Sequence, residues 1–227
     1  MKKAMLVCAA MVALAAMTAC KSGTTTSSNT SGEWVDLGLP SGLLWASCNL
    51  GASSPEEYGD YYAWGEVETK EVYDWSSYKY CTVDAERELS TLTKYNTLTE
   101  YGGVDSLTTL QPADDVATQK LGNGVRTPTV GEWRELIDNT TAEWTTQNGV
   151  SGRRFTAANG KSLFLPAAGY RWGSELRGAG EGGLYWSSSL IADGPYGAWL
   201  FNFYQGGQYV DYGNRDGGLS VRAVRQN

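Results

Sequence analysis

The stretch that decides the fold is residues 184–225, LYWSSSLIADGPYGAWLFNFYQGGQYVDYGNRDGGLSVRAVR. Its two ends are apolar, and both Tyr185-Trp186 and residues 219–224 predict buried strands. Between them, tyrosines are interspersed with glycines and short polar residues, which is the composition of adaptable binding surfaces. The sequence therefore predicts a loop that presents a ligand surface between two fixed core elements.

A strand within this stretch is predicted to hold the loop. Side chains alternate between the two faces of a strand, so Trp199, Phe201 and Phe203 form an inward row, and Leu200, Asn202 and Tyr204 form an outward row. We expect the strand to present the following loop rigidly. The predicted ligand is a protein or a glycan of unknown identity. The predicted ligand-binding residues are Tyr196, Leu200, Asn202, Tyr204, Gln205, Gln208, Tyr209, Asp211, Tyr212, Asn214 and Asp216.

The same alternation makes a prediction about Arg222. Val221 and Ala223 lie on one face of the last predicted strand, and Arg222 lies on the other. We expect carboxylate or carbonyl oxygens to fix its guanidinium group, because a buried charge needs hydrogen-bonding partners.

Composition excludes several classes of chemistry. The 227 residues include no histidine, which excludes a His-based triad, a His-ligated metal and general base catalysis by His. Catalysis through carboxylates, lysine or cysteine stays open. The net charge is −7 and no Lys/Arg cluster stands out, so no nucleic-acid partner is predicted. No cofactor and no metal site is predicted either.

The N-terminus predicts export and anchoring. Residues 1–20, MKKAMLVCAAMVALAAMTAC, combine two lysines with an apolar run too short to span a bilayer comfortably. Met17-Thr18-Ala19-Cys20 resembles a bacterial lipobox, so we expect residues 1–19 to be removed and Cys20 to be lipidated. An ordinary signal peptide with an incidental cysteine is the alternative. The predicted location is the outer membrane of the cell envelope, on either its periplasmic or its outer face, with the lipid as the only contact with the membrane.

The rest of the chain is predicted to be a tether and one domain. Residues 20–32 are rich in Ser, Thr and Gly and predict a flexible tether. Residues 33–227 contain no second linker, so we expect one domain with one large core. Cys48 and Cys81 are its two cysteines; they favour a disulfide in an oxidising envelope, with two free thiols as the alternative.

Strand signals dominate the domain. Asn159-Gly160 predicts a type I′ hairpin turn. Thr129 and Glu132 form a capping box ahead of the apolar residues Trp133, Leu136 and Ile137, which predicts a helix over residues 129–139. A shorter helix is predicted over residues 114–121. The predicted strands are residues 34–37, 43–48, 61–64, 153–157, 161–165, 184–187, 198–203 and 220–224.

Five blocks of the sequence resemble the Fibrobacter major paralogous domain family, which is abundant in lipoproteins of gut Bacteroidetes. The blocks are WVDLGLPSGLLWASCNLGASSPEEYGDYYAWGE (34–66), RTPTVGEWRELI (126–137), LFLPAAGYR (163–171), YWSSS (185–189) and GLSVRAVR (218–225). RTPTVGEW is also similar to a block of the formylglycine-generating enzyme fold. The resemblance implies an α+β, C-type-lectin-like domain, in which two short helices flank irregular antiparallel sheets.

The resemblance has functional implications. Some proteins of this fold are diversified by retroelements in a C-terminal segment, which would correspond to residues 204–218 here. The copper-dependent members use a pair of C-terminal cysteines, and this chain has no cysteine after Cys81. The calcium-binding sugar motifs of lectins are absent as well. Asp105-Ser106-Leu107 resembles the O-glycosylation sequon of Bacteroidetes envelope proteins, which makes Ser106 a modification candidate.

These observations favour a lipid-anchored binding module. A structural or adhesin-type envelope protein is the alternative, in which the same surface mediates assembly. A third hypothesis is a carbohydrate-active enzyme that works through carboxylates, which requires two carboxyl groups about 5–9 Å apart in a cleft.

Overall fold

The computed structural model describes residues 33–84 and 89–227. Within these ranges the fold is built mainly from antiparallel strands with two short α-helices, as an α+β fold predicts. The helices are α1 (Val116–Leu121) and α2 (Val130–Asp138). The strands are β1 (Trp34–Asp36), β2 (Leu44–Ala46), β3 (Cys81–Asp84), β4 (Leu89–Leu92), β5 (Val125–Arg126), β6 (Thr140–Gln147), β7 (Val150–Ala157), β8 (Ser162–Pro166), β9 (Tyr170–Trp172), β10 (Glu175–Arg177), β11 (Gly182–Leu190), β12 (Gly197–Tyr204), β13 (Gly207–Asn214) and β14 (Val224–Arg225).

The strands form several small sheets. One sheet has the order β1-β2-β14-β5, so the last strand of the domain lies between two early ones. A second has the order β6-β7-β8 and a third the order β11-β12-β13, while β3-β4 and β9-β10 are hairpins. No helix in the two described ranges is long and apolar enough to cross a membrane.

Helix α2 confirms the predicted capping box. The Thr129 side chain accepts a hydrogen bond from Glu132 N, and the Glu132 side chain accepts one from Thr129 N. Trp133 and Leu136 are buried. The Trp133 ring stacks on Phe201 of β12 with centroids 4.8 Å apart. The helix is therefore fixed at its start by the cap and along one side by its apolar face.

An Asn-Gly pair that was not predicted as a turn forms a type I′ hairpin. Asn148 and Gly149 connect β6 to β7 and have φ angles of 48° and 86°, as a type I′ turn requires. At Asn159-Gly160 only the glycine has a positive φ, of 78°. Residues 158–160 therefore form a three-residue hairpin loop, and the predicted type I′ turn there is wrong.

Three of the predicted strands are clearly shorter than expected or absent, and of residues 43–48 only Leu44–Ala46 form a strand, β2. Tyr62 pairs only in an isolated bridge with Leu219, so residues 61–64 are a buried extended segment instead of a strand. In residues 220–224 only the final valine belongs to a regular strand, β14. The last two segments bury their side chains in the core, which explains the strand-like pattern of their sequences.

The buried side chains form two clusters, one on each side of the β11-β12-β13 sheet. Leu200 and Trp186 belong to the first cluster, which also contains Tyr62, and Phe201 and Phe203 belong to the second. The cluster that contains Tyr62, Trp186 and Leu200 is called core cluster 1. The sheet that carries the predicted ligand segment is therefore supported on both sides over part of its length.

The prediction for Arg222 is confirmed with carbonyl and amide partners. Its Nη1 donates to the carbonyl oxygens of Ala46 and Ser47 at 3.0 and 2.7 Å. Its Nε and Nη2 donate to Asn49 Oδ1 at 3.0 and 2.7 Å, and Nη2 also reaches Phe164 O at 3.1 Å. Because Arg222 is fully buried, these bonds replace its lost hydration and tie the C-terminus to β2 and β8.

Candidate functional site

The predicted ligand segment is a β-hairpin and not a loop. β12 and β13 pair antiparallel from Gly197↔Asn214 to Tyr204↔Gly207, and Gln205-Gly206 forms the turn. The glycines and short polar side chains of the segment favoured a loop, but pairing with β12 outweighs their low strand propensity. Since β12 also pairs with β11, the segment is part of a three-stranded sheet.

Strand alternation divides the predicted ligand residues between two faces of this sheet. The register places Tyr209 opposite Asn202, and Tyr212 opposite Trp199. Because neighbouring positions in a strand point to opposite faces, Tyr209 and Tyr212 lie on different sides. Most of these side chains reach solvent, but the prediction of one surface shared by all of them is wrong. One face carries Asn202, Tyr204, Tyr209 and Asp211; the other carries Gln208, Tyr212 and Asn214.

The face formed by Asn202, Tyr204, Tyr209 and Asp211 is called here the tyrosine face. Tyr204 and Tyr209 are 47% and 44% exposed, and their rings meet edge to face with centroids 6.4 Å apart. Asn202 Nδ2 donates to Tyr209 Oη at 3.1 Å. Partial burial, and after it the Asp211 carboxylate, raises the pKa of Tyr209, so its hydroxyl group stays neutral at physiological pH. The face thus offers fixed aromatic and polar groups to a ligand.

The opposite face has a different character because α2 covers part of it. Trp199 is half-buried, and the Arg134 guanidinium of α2 lies 5.4 Å from the centre of its ring. Tyr212 is 66% exposed and lies opposite Trp199 in the strand register. Tyr212 is therefore a solvated tyrosine on the same hairpin, and it provides an internal comparison for the tyrosine face.

Two predicted ligand residues, Leu200 and Asp216, are buried, so their predicted ligand role is wrong. Leu200 pairs with Trp186 and lies in core cluster 1 with 2% of its surface exposed. It shares a side of the sheet with the tyrosine face, but the core covers that half of the sheet. Asp216 follows the end of β13 and is fully buried. Neither side chain reaches a ligand at the surface.

Tyr196 lies beside the hairpin and has a supporting role. Its hydroxyl group donates to Ser90 O. Its ring packs edge-on against Trp75 and Tyr101, with centroids 4.9 and 4.7 Å away. Tyr196 is half-buried and connects the start of β12 to the β3-β4 hairpin. Its ring is occupied by these contacts, so the structure does not support its predicted role in ligand binding.

Arg215 is a structural residue that the sequence reasoning missed. It is fully buried, and its guanidinium group lies over the rings of Trp64 and Tyr78, at 5.1 and 5.3 Å from their centroids. The group donates to Tyr78 Oη and to the carbonyl oxygens of Lys94, Tyr95 and Pro195. Arg215 thereby fixes the end of β13 to the core. The available signal was its place shortly before the predicted buried segment 219–224, where an arginine needs partners.

The neighbouring Asp216 carboxyl group is fully buried, and no side chain of the described residues donates a hydrogen bond to it. Burial raises its pKa to about 6, although the backbone N–H groups of Asp216 and Gly217 and the charge of Lys70 oppose that shift. A buried carboxylate with no cation within ion-pair distance is costly, so Asp216 is a weak point of the fold when it is ionised.

The disulfide predicted between Cys48 and Cys81 is wrong, because both are free thiols in the structure. Cys48 follows β2 and lies 3.4 Å from Ser47 Oγ. Cys81 begins β3 opposite Leu92, and burial raises the pKa of its thiol. Each side chain is packed in a different part of the fold, which spacing along the chain could not reveal.

Two carboxylates lie at a cleft where a glycosidase pair could be sought. Glu57 and Asp60 both line a cleft of about 400 Å³, and both are exposed. Hydrogen bonds from Ser53 lower the pKa of Glu57, whereas a general acid needs a raised pKa. Asp115, whose pKa burial raises, caps α1 and bonds Thr127. In the described ranges no three His, Cys, Asp or Glu side chains gather as a metal site.

Of the two predicted modification sites, Ser106 lies within the described residues and Cys20 lies outside them. Ser106 is exposed in a loop with a φ of 58°, and its glycosylation stays a prediction. Cys20 lies outside the described residues, as do the predicted signal peptide and tether.

Comparison with known proteins gives no relative, since no protein-family model, curated protein or solved structure matches this chain.

Proposed function

We propose that this protein is a lipid-anchored binding module of a bacterial cell envelope, and that the tyrosine face is its ligand surface. The ligand would be a protein or a glycan. In this proposal Cys20 carries the lipid, residues 21–32 are the tether, and the domain from residue 33 onward presents the site.

The observation that carries the proposal is the geometry of the tyrosine face. Tyr204 and Tyr209 are exposed although large aromatic side chains tend to be buried. They are also held in place, by each other and by the bond from Asn202. Side chains ordered before binding lose less entropy when a ligand arrives, and tyrosines are frequent energetic centres of interfaces.

We also propose a C-type-lectin-like fold of the Fibrobacter major paralogous type. The first and last strands of the described domain support it, because β1 and β14 share one sheet. The RTPTVGEW block supports it as well, since it forms β5 and the capped start of α2. Diversification by a retroelement would then act on exposed hairpin positions, and sibling copies should differ at Tyr204 and Tyr209 more than at Phe201 and Phe203.

Protection from nitration tests the proposed surface. A partner is recovered by chemical cross-linking on growing cells, and the complex is treated with tetranitromethane, which nitrates accessible tyrosines. We expect Tyr204 and Tyr209 to be nitrated in the free protein and protected in the complex. Tyr212, on the other face, should be nitrated in both. Protection of Tyr212 with free nitration of Tyr204 and Tyr209 would place the site elsewhere.

A further inference from the structure

A second site lies away from the tyrosine face, in a cavity of about 470 Å³ between residues 59–73 and the β9-β10 hairpin. Small-molecule sites usually measure about 300–1,000 Å³. We call it the Arg171 cavity; its walls include Asp60, Tyr61, Lys70, Glu71, Tyr73 and Arg171.

Backbone and phenol hydrogen bonds fix the floor of the cavity. Tyr61 Oη donates to Ala168 O, and Tyr73 Oη donates to Tyr61 O, both at 2.6 Å. Tyr73 and Gly173 exchange two backbone hydrogen bonds. Burial raises the pKa of Tyr61 to about 12, so this phenol is neutral. The floor is therefore rigid and carries no charge.

Arg171 is a cation without an ionic partner. Its backbone is fixed by two hydrogen bonds to Gly218, and its guanidinium group lies 5.4 Å from the centre of the Tyr61 ring. Among the described residues no carboxylate lies within ion-pair distance of it. Arg177, on the same hairpin, is paired with Glu175 at 2.7 Å. The Arg171 side chain is thus oriented by an aromatic ring, and its hydrogen-bond donors are left for another group.

The carboxylates of the cavity are also without cationic partners. Asp60 lies between this cavity and the cleft of about 400 Å³, which it also lines; its Oδ2 accepts a hydrogen bond from Tyr62 Oη at 3.1 Å, and no described lysine or arginine pairs with Asp60 or Glu71. Lys70 is already bonded to Glu66 Oε1 at 3.0 Å. Unneutralised charges of both signs therefore line one cavity but do not meet each other.

We propose that the Arg171 cavity binds a free amino acid, with the ligand carboxylate on Arg171 and the ligand ammonium group at Asp60 and Glu71. A simple anion would meet the two carboxylates, and a simple cation would meet the arginine. A zwitterion places each charge next to its opposite. This site is independent of the proposed function of the tyrosine face.

A ligand screen with matched analogues tests the proposal. The purified protein is screened by thermal shift against the standard amino acids at millimolar concentration, and the best one is titrated by calorimetry. Its deaminated analogue keeps only the carboxylate, and its decarboxylated analogue keeps only the amine. We expect each analogue to bind at least about tenfold more weakly, because each lacks one of the two charged groups that the cavity would bond.

Variants assign the two charges. Arg171→Gln should weaken binding of the amino acid at least about tenfold and leave the affinity for the amine analogue unchanged. Asp60→Asn combined with Glu71→Gln should weaken binding of the amino acid and leave the affinity for the carboxylate analogue unchanged or higher. Arg177→Gln, an arginine of the same hairpin outside the cavity, is the control and should bind as the parent does. Circular dichroism confirms that each variant is folded. The proposal is overturned if no amino acid binds, if Arg171→Gln binds as well as the parent, or if either analogue binds as tightly as the amino acid.

Discussion

Tyr204 and Tyr209 face each other across the β12-β13 hairpin with ring planes at 78°, so one presents its edge to the other's face. This relationship exists because the two-residue turn puts Tyr204 opposite Gly207 and therefore Asn202 opposite Tyr209. A shift of the register by one residue would move Tyr209 to the other side of the sheet. The surface thus depends on the hairpin register as much as on the residue types.

Arg222 should be essential for stability. Arg222→Ala removes the hydrogen-bond donors to four buried acceptors, three backbone carbonyl oxygens and one side-chain oxygen, and leaves them unsatisfied. We expect this change to lower the free energy of unfolding by about 3–5 kcal/mol. Urea denaturation followed by tryptophan fluorescence measures the effect. Arg177→Ala, at an exposed ion pair, should change the free energy of unfolding by less than about 1 kcal/mol. Equal stability of Arg222→Ala and the parent would contradict the structural role.

Asp216 should make stability depend on pH in a defined direction. Its pKa is about 6 in the folded protein against 3.8 for the unperturbed group, so the folded state binds the proton more tightly. This group then destabilises the fold above pH 6, and the penalty disappears as the pH falls towards 4. The full penalty is on the order of 3 kcal/mol.

Asp216→Asn isolates that contribution. We expect the variant to be more stable than the parent at pH 7.5 and the difference to shrink near pH 4, because the parent carboxyl group is then neutral as well. Other carboxylates also contribute to the pH dependence; Glu132, whose pKa is lowered against the effect of burial by its bond to Arg126, is one of them. Their contribution is the same in both proteins, so it cancels when the two are compared at each pH. A variant that is less stable at pH 7.5 would show that the ionised carboxylate has a favourable partner.

Both thiols of the domain should be free. Alkylation with iodoacetamide in denaturant, without a reductant, should label the peptides that contain Cys48 and Cys81. In the native protein Cys81 should react slowly, because burial raises the pKa of its thiol and the thiolate is the reactive form. A peptide pair joined through these two residues would restore the disulfide that the sequence favours.

How far the sequence predicts the fold differs from one element to another. Helix α2 follows from Thr129, Glu132 and the apolar face that starts at Trp133, because capping and periodicity are local properties. β13 does not follow, because its strand conformation is imposed by pairing with β12. β6 could have been found from Asn148-Gly149, the pair whose φ angles are both positive.

The candidate site could be predicted in part. The exposure of Tyr204, Tyr209 and Tyr212 follows from the composition of the segment, but their division between two faces depends on the hairpin register. The burial of Leu200 depends on what packs against the sheet, and a pattern of alternation alone cannot supply that. The Arg171 cavity joins residues about a hundred positions apart, so no local pattern indicates it.

The membrane anchor should depend on Cys20. Cys20→Ser prevents lipid attachment, so we expect the variant to move from the membrane fraction to the soluble envelope fraction or to keep its signal peptide. Radiolabelled palmitate and cell fractionation measure both outcomes, and globomycin treatment of the parent should also block processing. An unchanged membrane fraction after Cys20→Ser would exclude the lipid anchor.

The measurement that tests the central claim most directly compares two variants of the hairpin for affinity towards a partner recovered by the parent protein. The double variant Tyr204→Ala/Tyr209→Ala alters the tyrosine face, and Tyr212→Ala removes an even more exposed tyrosine from the opposite face. We expect the double variant to lose at least about 2 kcal/mol of binding free energy, or about thirtyfold in Kd, and Tyr212→Ala to change Kd by less than about threefold. Both should unfold cooperatively near the parent melting temperature. If the double variant binds as the parent does, or if Tyr212→Ala loses as much affinity, the tyrosine face is not the ligand surface.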